Sequence, residues 1–93
     1  MKVKITYSRD VRKCVEKYRI ITYKELQELI KKLLMKFYHG EDVNIDVKKL
    51  SGKYKDLIRI RKGNLRVLLK IRPEETTLKI EVLKVDYRGR AYK

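Results

Sequence analysis

Arginine and lysine recur at alternate positions in the C-terminal half of the chain, first at Arg59 and Arg61, then at Arg66 and Lys70 beyond a short break. A guanidinium makes paired, charge-assisted hydrogen bonds to phosphate and stabilises charge growing on a phosphoryl group during reaction. In a β-strand, residues two apart point to the same side, so Arg59 and Arg61 share a face and Ile58 and Ile60 share the other. On the following segment Arg66, Leu68, Lys70 and Arg72 alternate in the same way with Leu65, Val67, Leu69 and Ile71. A hairpin would make these cations near neighbours, and like charges across two strands repel unless a polyanion covers them. Glu81 is the one acid expected within the three C-terminal strands after Asp56 at their start. The pattern predicts a face that binds nucleic-acid phosphates, in preference to a merely solvated surface.

The global charge agrees. With 26 Lys and Arg against 12 Asp and Glu in 93 residues, the formal charge is +14, enough to attract a polyanion at long range. Residues 1–47 carry 11 basic and 7 acidic side chains and residues 48–93 carry 15 and 5, so the second half holds +10 of the total. A Lys- and Glu-rich surface serving solubility or heat resistance explains charge density better than it explains sign. Hydrophobic residues at 43% supply material for one core, and the length fits one domain, residues 1–93.

Cys14 is the only cysteine, which excludes an internal disulfide and predicts a reducing, cytoplasmic setting. No apolar run approaches the roughly 18 residues of a membrane span, and no signal-peptide core follows Met1, so neither membrane nor export is expected. One His and one Cys among scattered carboxylates give no metal-ligand spacing, and no small-molecule cofactor is expected. Asp42 and Asp46 read as loop and turn residues. His39, beside Gly40, reads as a capping or surface residue, which excludes paired-histidine ribonuclease chemistry.

These side chains need elements to hold them. Val3, Ile5 and Tyr7 alternate with Lys2, Lys4 and Thr6, predicting a first strand. Ser8 can cap a helix with Val11, Cys14, Val15 and Tyr18 on one face, ending near Tyr18. Thr22 and Glu25 form a capping box, with Ile21 placed to staple onto Leu26. The stripe Leu26, Leu29, Ile30, Leu33 and Phe37 then runs to a stop at His39-Gly40. Residues 41–56 lack a period and read as an ordered loop pinned by Val43, Ile45, Val47 and Leu50. Strands at Leu57–Arg61, Leu65–Arg72 and Thr77–Val85 follow, joined by turns at Lys62-Gly63-Asn64 and residues 73–76. The expected class is α+β, order β-α-α-β-β-β, a helical hairpin on a mostly antiparallel four-stranded sheet.

Four stretches carry a family resemblance: Val47-Lys48-Lys49-Leu50-Ser51-Gly52, Leu57-Ile58-Arg59-Ile60-Arg61, Gly63-Asn64-Leu65-Arg66-Val67 and Arg88-Gly89-Arg90-Ala91-Tyr92. In order and spacing they resemble the motifs of the RelE/ParE toxin superfamily, over about the C-terminal half. The resemblance implies a toxin that enters the ribosomal decoding site and cuts messenger RNA by attack of a ribose 2′-OH on its adjacent phosphate, without metal. It also implies an acidic, RelB-like antitoxin as partner. Residue by residue, it assigns a catalytic set of Arg59, Arg61, Arg66, Arg88 and Tyr92; Lys48, Lys49, Lys53, Lys55, Lys70 and Arg90 are expected as further RNA-binding cations. Two departures stand out. Some relatives place Lys where this chain has Arg59 and Arg61, and an arginine does not readily take a proton. Tyr87 stands where several relatives carry His. Candidates for the general base are Tyr92, Lys53 or Lys55, and a group of the RNA or ribosome.

Two other functions fit part of the pattern. A ParE-like inhibitor that binds DNA gyrase would lack the catalytic basic set, and a basic RNA-binding domain or inactive toxin would use the face for affinity alone.

Overall fold

The computed structural model describes residues 2–40, 43–50, 52 and 57–87. Its elements are β1 (Lys2–Tyr7), α1 (Arg9–Glu16), α2 (Tyr23–Tyr38), β2 (Asp46–Lys49), β3 (Ile58–Lys62), β4 (Leu65–Pro73) and β5 (Thr77–Tyr87). The sheet has five strands in the order β1-β5-β4-β3-β2, one more than the sequence pattern predicts. The class is α+β, and β1 beside β5 is the one parallel pair in an otherwise antiparallel sheet.

The additional strand is β2, in a stretch whose sequence reads as a loop. It is a four-residue edge strand whose residues pair with β3, Asp46 opposite Arg61 and Lys48 opposite Arg59. An edge strand this short, with one partner and no fully buried residue, leaves no period to detect in sequence.

Both helices begin where their caps dictate. The Ser8 hydroxyl accepts from the Val11 N–H, and in α2 the Thr22 and Glu25 side chains each accept from the other's backbone N–H. Gly40, with φ of +63°, follows the C-terminal end of α2 in the left-handed conformation that glycine adopts without steric cost. Gly63, at +58°, occupies the first central position of the two-residue β3–β4 turn, where a type II′ hairpin requires positive φ.

The core lies between the helices and one face of the sheet. Val11 and Cys14 of α1, Leu26, Leu29, Ile30 and Leu33 of α2, and Ile58, Ile60, Val67, Leu69, Leu78, Ile80, Val82 and Val85 of the sheet are buried together, with Ile21 and Ile45. Two expected core positions fall outside it. Helix α1 stops at Glu16, leaving Tyr18 exposed with the Lys17 ammonium 5.6 Å from its ring, and Phe37 at the end of α2 is 37% exposed.

A bulge in β5 sets the geometry of the opposite face. Leu69 pairs with Val82 but Leu68 pairs with Lys84, so one residue of β5 is inserted. On the β1 side of the same stretch Ser8 ties the start of α1 to β5, its N–H donating to the Val82 carbonyl at 2.9 Å and its hydroxyl to the Leu83 carbonyl at 2.8 Å. The shift keeps Val85 facing the core and brings Asp86 opposite Arg66.

Candidate nucleic-acid interface

The face of the sheet away from the helices is built from rows of cross-strand partners. One row runs Asp46, Arg61, Arg66, Asp86, and the next runs Lys48, Arg59, Leu68, Lys84. Arg59 therefore lies diagonal to both Arg66 and Lys70, which flank Leu68 on β4. Lys70 is opposite Glu81 one row further on. The structure thus brings together Arg59, Arg61, Arg66, Lys70 and Lys48, all of them cations expected from the sequence to bind RNA.

Lys49 does not join them. It pairs with Ile58, on the helix side of the sheet, and its ammonium stands 5.5 Å from the centre of the Phe37 ring. The alternation of a strand, absent from a loop reading, separates it from Lys48. Lys53, Lys55, Arg88, Arg90 and Tyr92 lie outside the described residues.

The cations of the face are poorly compensated. Among the described residues the one ion pair is Arg72 with Glu81, at 3.7 Å. Arg61 and Arg66 are half-buried and face each other directly, with Asp46 and Asp86 as their outer neighbours and neither acid at ion-pair distance. The Nε atoms of Arg59 and Arg66 are shielded from solvent and have no hydrogen-bond partner among the described residues. A buried donor without an acceptor costs about 1–3 kcal/mol, more when charged, and an incoming phosphate oxygen would supply the acceptor.

Three participants of this face are hidden in the sequence. Asp46 reads as a loop residue because β2 has no legible period. Lys84 and Asp86 depend on the bulge and on β5 continuing to Tyr87, two residues beyond the expected end. The acid count is corrected accordingly, since Asp86 lies within the third strand.

A second cluster sits on the other side of the molecule. The Tyr7 and Tyr23 rings are 4.8 Å apart, and the Tyr23 hydroxyl donates to the Glu16 carboxylate. That bond, then desolvation and the Glu16 charge, raise the Tyr23 pKa above 10.0. Because the folded value is raised, the favourable contact is present below the unfolded pKa and disappears as pH rises through the folded one. A difference absorbance titration of wild type against Tyr23→Phe should give a Tyr23 midpoint above 10, and Glu16→Ala should move it back down. An unmoved midpoint would show that the contact does not form.

No family model matches the sequence, and no curated protein does. Solved structures nevertheless share its fold. A YoeB/ParE toxin from Agrobacterium tumefaciens superposes with a TM-score of 0.62 at 15% identity, over 91% of this chain and 98% of that one. A chain of the archaeal RelE–RelB complex from Pyrococcus horikoshii gives 0.58 at 24% identity, over 98% and 100%. A chain of the RelB–RelE antitoxin–toxin complex from Methanococcus jannaschii gives 0.50 at 16% identity, over 87% of each. The fold is therefore that of the RelE/ParE toxins.

Proposed function

We propose that the chain is the toxin of a toxin–antitoxin pair and that its cationic sheet face holds messenger RNA in the ribosome for cleavage. The observation that carries this reading is the facing pair Arg61 and Arg66, with Arg59 diagonal to it and buried guanidinium donors left without acceptors. Such an arrangement is costly in the free protein and fits a bound phosphate. The 2′ oxygen attacks the adjacent phosphorus as the bond to the 5′ oxygen breaks and that oxygen takes a proton from solvent, leaving a cyclic phosphate and a 5′-hydroxyl. Arg61 and Arg66 stabilise the charge that grows on the phosphoryl oxygens. In the cell, an acidic antitoxin would complement the same surplus of positive charge.

Asp46 is the group we assign to take the 2′ proton. It is a carboxylate carried by β2 to the end of the arginine row, opposite Arg61. The test exploits a conflict of signs. Electrostatics alone predicts that Asp46→Asn, which removes a negative charge, strengthens RNA binding and speeds any reaction limited by it. A proton acceptor predicts binding unchanged or tighter, with single-turnover cleavage slower by about 10²-fold or more. Cleavage at or above the wild-type rate would place the base elsewhere.

A further inference from the structure

The sheet face that holds the arginine row carries a second set of facing cations at its far end. Arg72 on β4 stands opposite Lys79 on β5, and Lys79 stands opposite Lys4 on β1. Leu78 and Ile80, on either side of Lys79, are buried in the core, so Lys79 points to the open face. Like charges at directly opposite positions repel. Glu81, the one acid in the row before, reaches Arg72 at 3.7 Å, and neither Lys4 nor Lys79 has an ion pair among the described residues. The Arg72 side chain is nevertheless 57% exposed, and Lys4 is exposed as well. Lysine on an edge strand can serve simply to discourage pairing with another chain, which accounts for Lys4 on β1. It does not account for Lys79, because β5 lies inside the sheet between β1 and β4.

We infer that Arg72, Lys79 and Lys4 form a second phosphate site, which grips the same RNA strand several nucleotides away from the phosphate held by Arg61 and Arg66. The inference rests on the cleavage reading and extends its substrate from a single scissile step to a length of single strand. Arg66 and Arg72 lie on one β-strand, about 20 Å apart at roughly 3.3 Å per residue. An RNA strand long enough to cross that span engages both sites at once. Its second contact is then intramolecular and adds affinity, and because it is made to the backbone it adds no sequence preference. A strand too short to cross gains nothing from the second row. Length therefore separates a continuous track from two unconnected basic patches.

The test measures binding of fluorescein-labelled 2′-O-methyl uridylates, a trinucleotide and a dodecanucleotide, to the full chain by anisotropy across a salt series. These ligands lack the attacking hydroxyl, so binding is read without cleavage. In the double variant Lys4→Gln/Lys79→Gln the affinity for the dodecanucleotide should fall about fivefold or more, and its log–log salt slope by roughly 0.7–1.4, the loss of one or two phosphate contacts. Trinucleotide affinity should change less than about twofold. Arg9→Gln/Lys13→Gln removes the same charge from the exposed face of α1, on the other side of the sheet, and should leave both ligands within that twofold range. A dodecanucleotide affinity no lower than in this control, or an equal fall for both lengths, would overturn the inference. Arg66→Ala keeps the two proposals apart, because it should lower the slope for both lengths. If it does so while the lysine variant matches the control, only the second site fails; if it changes neither slope, the arginine row is not an RNA site and the inference falls with it.

Discussion

Arg66→Ala is expected to slow cleavage of ribosome-bound messenger RNA by about 10²–10³-fold, the range for removing one donor aimed at developing charge. Arg66 sits in the middle strand of the sheet, opposite Arg61 on one side and Asp86 on the other, with its Nε buried and unpaired. Affinity should change far less than rate, because Arg59, Arg61, Lys48 and Lys70 remain to hold phosphates. The salt dependence of binding should weaken by roughly 0.7 in log–log slope, the effect of one fewer phosphate neutralised on a single strand. Arg66→Lys should recover binding and only part of the rate, since an ammonium keeps the charge without the planar pair of donors. The fold should not suffer, because removing one of two facing guanidinium groups relieves repulsion. Equal falls in rate and occupancy in Arg66→Ala would show that the face serves affinity alone.

Leu33→Ala is expected to be the most damaging single change to stability, at about 2–5 kcal/mol by denaturant unfolding. Leu33 is fully buried in the cluster that fixes α2 to the sheet. Natural domains have only about 5–15 kcal/mol in total, so much of the stability would go, with a fall in Tm of about 4–8 °C per kcal/mol. Phe37→Ala, one turn further along the same stripe, should cost less than half as much because its ring is partly in water. Similar costs at the two positions would mean that the Phe37 ring is as deeply packed as Leu33.

The contrast between Leu33 and Phe37 shows how far periodicity carries. The 3.6-residue repeat identifies a face from Leu26 onward, but only the length of the sheet beneath determines where burial stops. Within strands β3 and β4 the alternation is fully informative, and Ile58, Ile60, Val67 and Leu69 are all buried opposite the basic residues. Two features lie beyond it. The parallel pairing of β1 with β5 joins residues about 75 apart, such as Lys2 with Thr77, and local pattern holds no record of such partners. The bulge at Leu68 and Leu69 is a feature of backbone register, and Asp86 stands opposite Arg66 because of that one-residue shift. Asp46 escapes a sequence reading for a related reason, since a four-residue edge strand gains its identity from pairing with β3. The expected roles of Arg88, Arg90 and Tyr92 rest on the sequence motifs, and those of Lys53 and Lys55 on charge and nearness to them.

The most direct measurement of the central claim is a map of messenger RNA 5′ ends in a translating extract supplied with the wild-type chain, Arg66→Ala or Asp46→Asn, with naked RNA in parallel. New ends on ribosome-bound messages that carry 5′-hydroxyls, and that fade in both variants while ribosome association persists, are the predicted result. Arrest of translation without new ends, or ends that persist unchanged in both variants, would contradict it.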